Sequence, residues 1–174
     1  IDFDTFFEFI NKIKNEIFLI FGFTSSVYEF FLKLQKIKKI TLTNGILLHG
    51  GGWKKLEKKK ISNKKFKKDL KKIFKIKNII NYYGLIEQAG SIFFECKEGY
   101  FHTSVYSDIY IRDEKLKLAN FKNRGLVQLI SVLPTSYPGH NILTEDIGAV
   151  YGVDDCKCGR LGKYFKIFGR AQGS

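Results

Sequence analysis

The chain has 174 residues, room for one domain or for one domain and part of another, and its 44% hydrophobic and 16% aromatic content supports a sizeable core. No apolar run approaches the roughly 18 to 20 residues that span a bilayer, and the apolar stretch Ile17 to Phe23 is broken by Gly22, so a membrane-spanning helix is excluded. The charge of +13 is local: between Lys54 and Lys77, 13 lysines stand against Glu57 and Asp69 and account for +11 of it.

In chain order, a helix is expected from about Asp4 to Glu16, then the strand "EIFLIFGF", then a second helix from Ser25 to Lys36 with Thr24 or Ser25 as its cap. "GILLHGGGW" reads as the next strand. The segment "SNKKFKKDLKKIFKI" places Phe66, Leu70, Ile73 and Phe74 at i, i+4, i+7 and i+8, which predicts an amphipathic helix capped by Ser62 with its lysines on the solvent side. The same lysines suit an anionic membrane, a nucleic acid or an acidic partner protein. A basic nucleic-acid-binding domain is the weaker reading, because no arginine-rich or aromatic-interleaved surface and no helix-turn-helix or RNA-recognition signature accompanies them.

"NIINYYG" follows as a strand, so residues 1–90 alternate strand and helix, the pattern of an α/β unit with a parallel sheet and crossover helices. From Ser91 the rhythm changes to short strands separated by "KEG", "NRG", "PTSYPGHN" and "DDCKCG". Residues 91–174 therefore read as antiparallel β hairpins or a small β-barrel. The chain opens without methionine or a basic leader, which suggests an excised piece of a longer, cytoplasmic protein.

Several strand ends carry residues suited to a ligand. Gly50, Gly51 and Gly52 follow an apolar strand and permit close approach to the backbone, although a tight turn without a ligand looks the same. In "NYYGLIEQ", Tyr83 beside Gly84 offers a flat face for a purine, and Glu87 a carboxylate for Mg²⁺ on a phosphate. In "LTEDIG", Asp146 is expected in a turn between strands, where it accepts from ribose hydroxyls or simply closes the turn. Arg170 ends "KIFGR". His49 and His140 read as satisfied structural histidines, each near the suspected pocket.

The order of these motifs, with "FGFTSSVYEF", "ILLHGGGWKK", "YYGLIEQAGSIFFEC", "LPTSYPGHNILTEDIG" and "CKCGR", resembles the adenylate-forming superfamily, and within it the acyl-protein synthetase (LuxE) family of bacterial bioluminescence, with phenylacetate-CoA ligases as near relatives. The likeness runs from about Ile17 to the end. It implies part of the large domain of an adenylate-forming enzyme, ending at the hinge to a C-terminal domain not included in the chain. It implies ATP or AMP with Mg²⁺ as ligands. The reaction would join a carboxylic acid, in this family a fatty acid, to AMP and pass the acyl group to a thiol: a protein cysteine, a carrier or coenzyme A.

Position by position, the resemblance implies that Gly50, Gly51 and Gly52 line the acyl and adenine pocket, that Tyr83 and Gly84 meet the adenine, that Glu87 helps hold Mg²⁺, and that Asp146 and Arg170 hold the ribose. Ile86 stands where threonine is usual, and Gln172 near an acidic hinge position. The superfamily's phosphate loop and catalytic lysine are expected outside this chain, so the isolated piece is expected to have little or no adenylation activity. An aryl- or acyl-CoA ligase is the alternative enzyme, and a zinc-stapled scaffold a non-catalytic one.

Cys96-x5-His102 and Cys156-x-Cys158 form two close pairs beside hairpin turns and supply a Cys3His set for structural Zn²⁺ if the hairpins meet. A disulfide, or a buried Cys96 with an ordinary "CKCG" turn, competes with that reading. The phenylacetate-CoA ligase likeness favours zinc, since some of those relatives carry a site built from similar pairs.

Overall fold

A computed structural model of the chain describes residues 2–13 and 15–171. It forms two compact units, Ile1–Asn81 and Tyr82–Ser174.

In the first unit, helix α1 (Phe3–Lys12) begins where Asp2 accepts from the Thr5 backbone N–H at 3.0 Å, and it closes with the Ile13 N–H on the Phe9 carbonyl. It is thus shorter than the sequence pattern suggests. Strand β1 (Phe18–Phe23) runs parallel to β2 (Gly45–Gly50), and helix α2 (Thr24–Ile37) makes the crossover. The expected side-chain cap at Thr24 or Ser25 is not used. Phe23 occupies the N-cap position and has no side-chain oxygen, while the Thr24 hydroxyl is spent elsewhere.

Helix α3 (Asn63–Phe74) carries the lysines and starts as expected, with Ser62 Oγ accepting from the Lys65 N–H at 3.2 Å. Its apolar stripe is narrower than expected: Phe66, Leu70 and Phe74 are buried, whereas Ile73 is 42% exposed. Those three join Val27, Phe31, Leu34, Leu42, Leu47, Ile76 and Ile79 in one core between the helices and the strands. Strand β3 (Asn78–Gly84) lies beside β2 and carries the chain into the second unit.

In the second unit, Tyr82–Gly84 of β3 pair antiparallel with β4 (Ile92–Phe94). The remaining strands are β5 (Phe101–His102), β6 (Ser107–Arg112), β7 (Gly125–Ser131), β8 (Asn141–Val153) and β9 (Lys163–Arg170). They form an antiparallel sheet in the order β5-β9-β8-β7-β6. It is open, with β5 and β6 as its edges among the described residues, so the barrel alternative is corrected; the two-residue β5 pairs with β9 and not with β6. Phe93, Ile109, Ile111, Val127, Leu129, Val150 and Phe165 fill the core of this unit.

Candidate functional site

Three groups of residues drawn from the sequence motifs can be located, one in the first unit and two in the second. In the first, Gly50 ends β2, and Gly51 has φ of +75°, the left-handed region that favours glycine. A Cβ placed on Gly52 would meet no atom within 4 Å. Among the described residues, the loop after β2 therefore presents backbone with little side-chain cover, as a ligand-approach site requires.

His49, just before the triplet, is not the satisfied histidine that the sequence suggests. It is only 2% exposed, its Nδ1 lies 3.0 Å from Thr24 Oγ1, and its Nε2 is buried with no hydrogen-bond partner among the described residues. Burial, reinforced by the charge of Lys67, lowers its pKa to about 4, so the ring is neutral at pH 7. It lines a cavity of about 90 Å³ with Thr24, Gly51, Trp53, Phe66 and Asn81 among its neighbours. Nothing in the local sequence shows this, because Thr24 and His49 come from separate elements 25 residues apart.

In the second unit, Tyr83 and Asp146 meet: the phenol donates to Asp146 Oδ2 at 2.7 Å. The Tyr83 ring also packs near Phe93, Phe101 and Phe165. Burial, then the hydrogen bond and charge of Asp146, push the phenol well above the usual tyrosine range, and Glu87 acts in the same direction. Asp146 does not sit in a turn. It lies within β8, where the Thr144 hydroxyl accepts its N–H at 3.0 Å and donates to the Val127 carbonyl at 2.9 Å, beside register shifts on both neighbouring strands. The irregular ladder of that stretch is what makes "LTEDIG" resemble a turn in sequence.

Arg170, on β9, is the cross-strand partner of Asp146, and its exposed guanidinium lies 3.7 Å from Glu145. Glu87 is exposed in the short 3-10 turn Ile86–Gln88, and Ile86 beside it is 92% exposed. Gln88, which the sequence reading passes over, is fully buried and donates to the Gly139 carbonyl at 2.9 Å. That bond ties the turn bearing Glu87 to the "SYPGHN" loop. His140 of that loop is exposed, and Gln172 lies outside the described residues.

The third group is Cys96, His102, Cys156 and Cys158, whose donor atoms all lie within 4.8 Å of one another. Two glycine turns shape it: the Gly99 N–H returns to the Cys96 carbonyl at 3.0 Å, and the Gly159 N–H to the Cys156 carbonyl at 2.9 Å, with φ of +77° and +87°. Pairing of β5 with β9, His102 opposite Tyr164, brings the two turns together. His102 Nε2 is 3.3 Å from Cys158 Sγ, and the Arg160 N–H donates to the same sulfur at 3.3 Å. Tetrahedral zinc with Zn–S of about 2.3 Å places its donors roughly 3.8 Å apart, so the set fits that ion.

Burial raises the Cys156 thiol to about 11. At Cys158 burial also opposes the thiolate, but the Arg160 N–H and side-chain hydrogen bonds from Cys156 and Cys96 outweigh it and hold its pKa below the usual value.

Comparison with known proteins decides the family. The family model described as acyl-protein synthetase, LuxE, matches residues 1–174. The chain belongs to that family. Among curated proteins no match to this acyl-protein synthetase family member is found. Its fold is that of part of an adenylate-forming enzyme. It is similar to ATP-bound MatB from Rhodopseudomonas palustris, with 12% identity and a TM-score of 0.64 over 98% of this chain and 33% of that one. It is also similar to O-succinylbenzoate coenzyme A synthetase (MenE) from Bacillus subtilis in complex with ATP and magnesium ion, with 13% identity and a TM-score of 0.61 over 98% of this chain and 34% of that one. A third is 2-hydroxyisobutyryl-CoA ligase in complex with 2-HIB-AMP and CoA, with 17% identity and a TM-score of 0.67 over 89% of this chain and 34% of that one. The chain of this acyl-protein synthetase family member thus spans about a third of the structures it matches. None of its described helices is long and apolar enough to cross a membrane.

Proposed function

We propose that this chain is the nucleotide- and acid-binding part of an ATP-dependent, carboxylate-activating ligase that forms an acyl adenylate and passes the acyl group to a thiol. The observation that carries the reading is the pairing of Tyr83 with Asp146 across 63 residues, with Arg170 opposite Asp146 on the adjacent strand, in a chain of this family. Three motif residues distant in sequence thus come together in one region of the second unit.

In this reading Tyr83 sets its ring beside the adenine, and Gly84 keeps the backbone close. Asp146 accepts from a ribose hydroxyl while still holding the Tyr83 phenol, since a carboxylate has two oxygens and about four acceptor positions. Arg170 donates to the second ribose hydroxyl. Glu87 helps hold Mg²⁺, which neutralises phosphate charge when bound. In the first unit Gly50, Gly51 and Gly52 line the acyl and adenine pocket.

A carboxylate oxygen of the acid attacks the α-phosphorus as the bond to pyrophosphate breaks; the thiol sulfur then bonds to the acyl carbon and AMP leaves. The thiol belongs to a protein cysteine, a carrier or coenzyme A. The family points to a fatty acid as substrate.

Cys96, His102, Cys156 and Cys158 hold a structural Zn²⁺. Four protein donors leave no open position for chemistry, and joining the turn after β4 to the turn between β8 and β9 stabilises the β unit. Nucleotide activation is tested by ATP–pyrophosphate exchange in the full-length protein: exchange dependent on a carboxylic acid, and abolished in Glu87→Ala, supports the reading, and exchange indifferent to Glu87 contradicts the site assignment.

A further inference from the structure

Glu87 stands on a turn of only three residues, with its own side chain exposed. A metal ligand has to be placed to within about 0.5 Å, which takes packing and hydrogen bonds from the residues around it. In the second unit those restraints converge on the two residues that follow Glu87. The Gln88 amide nitrogen lies 2.9 Å from the Gly139 carbonyl and 3.4 Å from the Leu129 carbonyl. Both carbonyls only accept, so the nitrogen faces them and the orientation of the amide is determined. The next N–H, that of Ala89, donates to the Tyr137 hydroxyl at 2.9 Å.

The loop on the other side of this clamp is itself held. Ser131, at the end of β7, donates its N–H to the His140 carbonyl at 2.9 Å, and the Gly139 N–H returns to the Tyr137 carbonyl at 2.8 Å. A Cβ on Gly139 would stand 2.8 Å from the Glu87 carbonyl oxygen and would strike the Tyr137 ring, so glycine lets the loop between β7 and β8 lie directly on the Glu87 backbone. One loop thus meets Glu87, Gln88 and Ala89 in turn.

Filling space does not account for Gln88. It is fully buried, and its Oε1 has no partner among the described residues. An apolar side chain of similar size would avoid that desolvation. A residue that breaks a local rule of packing is expected where function requires it. What the amide supplies is a fixed direction for the peptide that carries Glu87.

We infer that Gln88 is a positioning residue for Mg²⁺: through its bonds to Gly139 and Leu129 it sets the turn so that the Glu87 carboxylate meets the metal on the ATP phosphates, and it touches neither metal nor nucleotide itself. The inference rests on the reading above, in which Glu87 helps hold Mg²⁺. Partners that orient a metal-binding carboxylate from behind are worth about 10- to 100-fold in metal affinity.

The test is calorimetric binding of ATP by the full-length protein, without any acid, in the presence and absence of Mg²⁺. Mg²⁺ should tighten ATP binding by the wild type, and Glu87→Ala should lose most of that gain. Gln88→Met keeps the side-chain volume and removes the donor; it should reduce the gain by about tenfold while ATP binding without Mg²⁺ stays within about twofold of wild type. Added to Glu87→Ala it should change the gain no further, because the two residues act as one unit. Tyr137→Phe, which removes only the acceptor of the Ala89 N–H, should reduce the gain by about threefold, and it decides alone if Gln88→Met does not fold. A gain unmoved by Gln88→Met overturns the inference, as does equal weakening of ATP binding with and without Mg²⁺, the mark of a merely structural role. Either result leaves Glu87 assigned to the metal, provided that Glu87→Ala loses the gain. A gain absent from the wild type, or indifferent to Glu87→Ala, overturns that assignment and this inference with it.

Discussion

The Tyr83 phenol donates to Asp146 Oδ2 at 2.7 Å, so one hydrogen bond fastens the start of the second unit to the centre of its longest strand. Tyr83→Phe removes the donor, keeps the ring among Phe93, Phe101 and Phe165, and should cost about 1 to 2 kcal/mol in urea unfolding at pH 7. The folded phenol has its pKa raised above the unfolded value of about 10. Its contribution is therefore complete below pH ~10 and is lost as pH rises beyond that value toward the folded one. The Phe variant should lack this alkaline loss, which a pH series of unfolding midpoints measures.

His49 produces the opposite limb. Its pKa falls from 6.5 unfolded to about 4 folded, burial being the main cause. The unfolded chain binds the proton first, so the stability that His49 contributes is intact above pH 6.5 and declines as pH falls from 6.5 through about 4. His49→Gln should flatten that part of the acid limb; an unchanged slope would mean that other groups govern it.

Chelation addresses the Cys3His set. Protein purified under reducing, chelator-free conditions should contain about one zinc per chain. Cobalt substitution should give the intense visible bands of a tetrahedral thiolate site. Cys96→Ser and Cys158→Ser should each lose metal and lower the thermal midpoint, because metal binding is linked to folding of the β unit. Metal-free protein with unchanged stability would leave the four side chains as ordinary thiols and an imidazole.

Much of this was legible in sequence wherever the signal is local. The lysine helix announces itself through Ser62 and the spacing of Phe66, Leu70 and Phe74, and the Cys96/His102 and Cys156/Cys158 pairs each sit at a glycine turn. What was not legible depends on partners far along the chain. Asp146 looks like a turn residue because the β8 ladder is irregular on both sides there. His49 looks satisfied because its sequence does not reveal that only Nδ1 meets a partner, Thr24 Oγ1, while Nε2 is buried without one among the described residues. Gln88 carries no charge or metal-binding chemistry that marks it in sequence, and its role arises from its bonds to the Gly139 and Leu129 carbonyls.

The lysine helix separates into a stabilising face and a free one. Phe66→Ala should destabilise the first unit by about 3 to 5 kcal/mol, since the ring is buried against Tyr28 and His49. Replacing the exposed Lys64, Lys68, Lys71 and Lys72 by glutamate should change stability little. If the face serves an acidic partner, the same replacement should weaken acyl transfer to an acidic carrier protein at low salt while leaving exchange intact. Salt-steep binding of nucleic acid by the wild type would point instead to the other partner class.

The most direct measurement is acid-dependent ATP–pyrophosphate exchange in the full-length protein, compared among wild type, Glu87→Ala and Asp146→Asn. Exchange in the wild type that falls by about 100-fold or more in Glu87→Ala, and by a smaller factor with a raised KM for ATP in Asp146→Asn, is the predicted result. Exchange at wild-type rates in both variants would contradict the assignment of the nucleotide site to Tyr83, Glu87, Asp146 and Arg170.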